Sequence, residues 1–92
     1  MMINEPEHTV YYVYLLRCAD DTLYTGISID LERRLSLHNA GKGAKYTRGR
    51  RPVTLVYQET QPDKGAALRR EREIKQMRRE EKLALIGEDN LR

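Results

Sequence analysis

Ninety-two residues are enough for one domain, and a chain of this size buries only about 60–65% of its unfolded surface. No apolar stretch approaches the roughly 20 residues of a membrane span, the first seven residues lack the basic start and apolar centre of a signal peptide, and the single Cys18 excludes an internal disulfide framework and a cysteine-based zinc site. The net charge of +3 is unevenly spread: Arg33 to Gln58 holds seven basic and no acidic residues, leaving 10 basic against 14 acidic elsewhere.

Residues 1–9 read as a disordered N-terminus, 10–87 as the folded domain and 88–92 as a C-terminal tail. With no Trp and no Phe, the aliphatic residues and six Tyr must fill the core. Val10 to Leu16 is apolar on both alternating faces and rich in β-formers, so it reads as a central strand. Cys18, just beyond it, reads as a buried free thiol. Asp20-Asp21-Thr22 supplies a turn, and Leu23 to Ile27 returns as the second arm of a hairpin. Gly26 weakens that strand, which implies a close approach to its backbone.

Asp30 is a suitable N-cap for a helix over 31–39, ended by Gly41 and Gly43. Leu31, Arg34, Leu35 and His38 share one of its faces. Arg34 and His38 therefore lie one turn apart on the inner edge, with Arg33 pointing away. Residues 41–52 form a basic loop, and 53–57 a third strand. Asp63 caps a long helix, and 80–86 is a last helix or its continuation, stopped by Gly87. In the long helix Ala67, Leu68 and Ile74 define an apolar stripe that contains Glu71 but not Glu73. A carboxylate on such a stripe needs a cation or donors. Two explanations stand side by side: pairing with a structural Arg or with Lys75 at i+4, or membership of a metal or catalytic site.

The +7 segment points to a polyanionic partner, nucleic acid foremost. Arg33, Lys42, Lys45, Arg48, Arg50, Arg51 and Lys75 read as phosphate contacts. Tyr46 reads as a base-stacking ring or an anchor for its loop.

In order along the chain stand Tyr12-Val13-Tyr14 on one strand, Tyr24-Thr25-Gly26 on the next, Arg34 and His38 on the following helix, and Glu71 on a later one. This set resembles the GIY-YIG nuclease superfamily over residues 10 to 86. The stretch from Gly41 to Pro52 resembles its small stand-alone, YhbQ-like bacterial branch. Tyr12 departs from the Gly of the first tripeptide, Val13 from its Ile, and Thr25 from the Ile of the second. The resemblance implies an α+β fold, a small three-stranded antiparallel sheet flanked by helices in the order β-β-α-β-α-α. It also implies metal-dependent phosphodiester hydrolysis of nucleic acid, with DNA the first choice; with neither a membrane span nor a signal peptide in view, a soluble cytoplasmic protein is the expectation. Tyr14 matches the family's general base, Arg34 its phosphate-holding Arg, and Glu71 its ligand for Mg²⁺ (or Mn²⁺). Tyr24 would position the phosphate or support Tyr14, and His38 would relay a proton or orient a Tyr hydroxyl. A nucleic-acid-binding module with little cleavage is the alternative, and a protein-interaction domain built on the C-terminal helices is a third.

Overall fold

The computed structural model describes residues 9–87; the expectations for residues 1–8 and 88–92 lie outside them. Three strands form one antiparallel sheet: β1 (Tyr11–Arg17), β2 (Leu23–Ser28) and β3 (Thr54–Gln61), in the spatial order β2-β1-β3. The helices are α1 (Leu31–Asn39), a single turn α2 (Lys45–Arg48), α3 (Lys64–Lys75) and α4 (Arg79–Ile86). The α+β expectation holds. The differences are local: the basic loop contains the α2 turn, and the last helix stands apart from α3.

The central strand is buried on both faces, as its unbroken apolar run implies. Val13 and Leu15 face one way and pack with Ala67 and Ile74 of α3, with Leu85 and Ile86 of α4 against them. Tyr14 and Leu16 face the other way and pack with Cys18 and Val53, under Leu31 and Leu35 of α1. Each aliphatic side chain buried in full contributes about 1.5–3 kcal/mol. Cys18 is a buried free thiol, as expected. Leu68 is not part of the stripe that packs: it is 41% exposed, because the buried line of α3 runs through Ala67 and Ile74 and leaves Leu68 about 100° away.

Pairing slips between Leu15 and Leu16, where β3 advances two residues, Tyr57 to Leu55, for one on β1. This bulge puts Leu55 with the α1 side and Tyr57 with the α3 side. Beyond it β3 runs on to Gln61, four residues past the expected end, through a polar stretch that periodicity did not mark. Glu59 makes that extension possible. Its carboxylate accepts from Arg70 of α3 at 2.8 Å, from the Tyr57 hydroxyl at 2.5 Å and from Gln61 at 2.8 Å. Burial opposes its charge, but these donors outweigh burial and hold Glu59 below the usual carboxylate range.

Caps position the helices as the sequence indicates. Asp30 accepts from the Arg33 amide and Asp63 from the Ala66 amide. Asn39 ties the end of α1 to the start of β3 through both its amide groups, at 3.1 and 2.7 Å to the Val53 backbone. Arg79 ties α4 to Asp21 in the hairpin turn at 3.1 Å. Among the described residues no helix is long and apolar enough to cross a membrane.

Candidate active site

The site forms where β1, β2, α1 and the α2 turn meet. Tyr14 and Gly26 are direct cross-strand partners, and the Tyr14 ring lies over the bare Gly26 backbone. A Cβ built at Gly26 would sit 2.5 Å from the Tyr14 hydroxyl and 3.0 Å from the Tyr24 ring. The approach anticipated at this glycine is therefore made by the Tyr14 side chain itself. Gly26→Ala should destabilise the fold by about 1–3 kcal/mol through overpacking, read by urea unfolding; unchanged stability would mean that the ring is free to move aside.

Behind Tyr14 runs a buried chain of hydrogen bonds. Tyr14 Oη lies 3.1 Å from His38 Nε2, His38 Nδ1 lies 2.8 Å from Thr47 Oγ1, and Thr47 donates to the Ala44 carbonyl at 3.0 Å. Tyr14 is 1% exposed; His38 and Thr47 are fully buried. Thr47 has one hydroxyl proton and spends it on Ala44, so it accepts from His38 Nδ1–H. Nε2 is then the acceptor, and Tyr14 donates to it. Gly43 leaves room for this closure: a Cβ there would lie 2.8 Å from His38 Cγ.

Arg34 is coupled to Tyr14 and Tyr24: interaction with the Tyr14 hydroxyl first, and with Tyr24, raises its pKa against the effect of burial. Its Nε is buried without a partner. Burial pushes the Tyr14 hydroxyl up, and Arg34 only partly offsets this; the nearby charges of Tyr24 and, more weakly, Glu71 push the same way as burial. Burial first, and Arg34 second, push His38 below its ordinary 6.5. The imidazole is therefore neutral at pH 7 and free to accept.

Tyr24 is only partly buried. Its ring lies 6.4 Å from Tyr14 and 5.2 Å from His38. It also meets Tyr46, 5.8 Å away, and the Arg50 guanidinium covers Tyr46 at 4.0 Å. Arg50 also bonds Asp20 at 3.1 Å and the Tyr46 carbonyl at 2.8 Å. Tyr46 and Arg50 thus brace the wall of the site. Arg51 turns back onto the Arg48 carbonyl at 2.8 Å. Arg33, Lys42, Lys45 and Arg48 are exposed.

Glu71 lies on α3, its side chain 18% exposed, with Lys75 Nζ 3.2 Å from Oε2, and its charge acts weakly on Tyr14. Lys75 is thus held by a carboxylate, which distinguishes it from the exposed bases of the loop. Among the described residues no three His, Cys, Asp or Glu gather into a metal cluster. One partly buried carboxylate does not fit zinc, which takes three or four protein ligands. It does fit Mg²⁺, which takes one or two carboxylates and completes its shell with water and phosphate oxygens.

Sequence reasoning gave Gly43 only the task of ending α1 and did not single out Thr47 or Ala44. Nothing in the basic loop distinguishes Thr47 from a solvated threonine; only the close pass of residues 43–47 over His38 reveals it.

Residues 10–84 match the GIY-YIG catalytic domain. A UPF0213 protein of Staphylococcus haemolyticus is 55% identical over 78 residues, spanning 85% of this chain and 95% of that protein. One of Natronomonas pharaonis is 53% identical over 79 residues, spanning 86% and 93%. The solution structure of a UPF0213 protein from Bacillus halodurans superposes with a TM-score of 0.55 at 42% identity, covering 89% of this chain and 94% of that one. A protein from E. faecalis superposes at 0.58 and 34% identity, covering 99% and 94%. With this much of its length matched to bacterial and archaeal relatives, the chain belongs to the GIY-YIG domain family, among its UPF0213 members.

Proposed function

We propose that this chain is a Mg²⁺-dependent endonuclease that hydrolyses phosphodiester bonds, with DNA as its substrate and the cytoplasm as its place of work. The observation that carries the reading is the placement of Arg34. It is half-buried, its charge is coupled to the hydroxyls of Tyr14 and Tyr24, and it belongs to a segment whose other cations are largely exposed. A planar donor fork suits a phosphate oxygen.

Burial supports a division of tasks between the two tyrosines different from the one the family resemblance implies. Tyr14, at 1% exposure, cannot meet an attacking water. It acts as an internal acceptor that fixes Arg34. Tyr24 is partly exposed and also receives the Arg34 donor, so it is the hydroxyl that meets water and phosphate. Reacting as its phenolate, Tyr24 takes a proton from water as the oxygen attacks phosphorus. A divalent ion on Glu71 would supply neutralisation of the phosphoryl oxygens and stabilise the leaving oxygen. Lys42, Lys45, Arg48 and Arg33 hold the flanking phosphates.

The test is cleavage of plasmid and branched DNA, and of RNA, by the full chain in Mg²⁺ or Mn²⁺ and in EDTA. Metal-dependent nicking of DNA is the expected result. Salt-sensitive binding with no cleavage in either metal would make the chain a binding module, and metal-independent cleavage would remove Glu71 from its assigned task.

A further inference from the structure

The hydrogen-bond chain behind Tyr14 has a direction, and the direction matters because of what stands at its outer end. Arginine is donor-only. For Tyr14 to accept from Arg34, its own proton must point inward. That requires His38 Nε2 to be bare, hence His38 Nδ1 to carry the ring proton. The proton on Nδ1 needs an acceptor in a place closed to water, since His38 and Thr47 are both fully buried. Thr47 Oγ1 is that acceptor at 2.8 Å, and it can accept there because its own proton is committed to the Ala44 carbonyl at 3.0 Å.

We propose that Thr47 is a positioning residue: through the Ala44 carbonyl it sets His38 in the Nδ1–H tautomer, so that Tyr14 donates inward and turns its lone pairs toward Arg34. The polarity of the whole chain is thus set by one hydroxyl on the α2 turn. Without that hydroxyl the imidazole gains by moving its proton to Nε2, where the Tyr14 oxygen can accept it. Tyr14 must then send its own proton toward Arg34, a donor facing a donor, and the guanidinium loses its inner support. The same turn carries Lys45 and Arg48, both exposed. Any contact that shifts those side chains' backbone therefore bears directly on the Thr47 anchor.

The structural half of this inference is independent of the nuclease reading; only its kinetic consequence rests on it. The test is long-range ¹H–¹⁵N NMR of the full chain labelled at histidine, above pH 7. The chain has two histidines, and a spectrum of His8→Gln assigns His38. Wild type should show His38 protonated on Nδ1. Thr47→Val, which removes the hydroxyl at nearly constant volume, should move the proton to Nε2. It should also lower kcat by about 10–100-fold, the usual effect of losing an outer hydrogen-bond partner, with DNA affinity unchanged. Thr47→Ser retains the hydroxyl and should restore both the tautomer and the rate, which separates lost polarity from lost packing. An Nε2–H tautomer in wild type overturns the proposal, as does a Thr47→Val spectrum still reading Nδ1–H. A tautomer shift in a protein that cleaves nothing upholds the positioning and sinks the nuclease reading instead.

Discussion

Tyr24→Phe should lower the cleavage rate by about 10²–10⁴, the range for losing a general base, whereas Tyr14→Phe should lower it by only about 10–100-fold, the range for an outer hydrogen-bond partner. The order follows from burial. Tyr14, on the central strand, is sealed at 1% exposure with its hydroxyl on His38, so in the proposed mechanism its loss reaches the phosphate only by loosening Arg34. Tyr24 is partly exposed, so in the proposed mechanism its hydroxyl is the one that meets substrate. Both variants are measured under single turnover, so that product release does not mask the chemical step. The reverse order, Tyr14→Phe inactive and Tyr24→Phe mild, would return the base to Tyr14 and require the site to open before reaction.

The pH profile bears on the same chain. His38 is pushed below its ordinary 6.5 by burial first and by Arg34 second. Acidification through that lowered pKa adds a proton to Nε2 and reverses the Tyr14 bond, so cleavage declines there rather than at 6.5. Because the folded-state pKa is the lower one, the unfolded chain binds the proton first. His38's contribution to stability is complete above 6.5 and is lost as pH falls through the folded value.

What the sequence disclosed, and what it did not, divides along a physical line. The central strand was legible because Val10 to Leu16 is apolar in both alternating registers, which only burial on two faces explains. Caps were legible because Asp30 and Asp63 act on amides three residues away. Arg34 and His38 were legible as neighbours because helical spacing puts them on one face. The extension of β3 was not, because Glu59 is stabilised by Arg70, 11 residues on, and periodicity carries no information about a partner on another element. Thr47 was hidden for the same reason. Its bond to His38 crosses from a loop to a helix, and a threonine among lysines and arginines reads as solvated. The exposure of Leu68 shows a further limit: a stripe drawn from three apolar residues is wider than the line that packs.

Glu71 is where the structural and functional readings make opposite predictions. Its side chain is 18% exposed on α3, with Ala67 one turn before it and Ile74 three residues after it, both fully buried. Lys75 meets it at 3.2 Å, but Lys75 is itself 54% exposed. Pairs of that kind on a helix contribute about 0.3–0.5 kcal/mol. Partial desolvation of a carboxylate opposes this, and replacing a poorly compensated buried charge by an apolar side chain of similar size is often neutral or stabilising. Glu71→Met keeps the length and helix propensity of the side chain. It should therefore leave stability unchanged or raise it by up to about 1 kcal/mol, while lowering Mg²⁺-dependent cleavage by at least about 10². Glu71→Gln, which keeps the shape and a hydrogen-bonding oxygen, should be equally inactive, because an amide carries no charge to hold a divalent cation beside phosphate. Thermal unfolding and cleavage are measured on the same preparations. If Glu71→Met lost more than about 1 kcal/mol and still cut DNA, the carboxylate would belong to the fold, as the partner of Lys75. A fold that is no worse without Glu71, in a protein that no longer cuts, means that the acidic residue is retained on an apolar stripe for its chemistry.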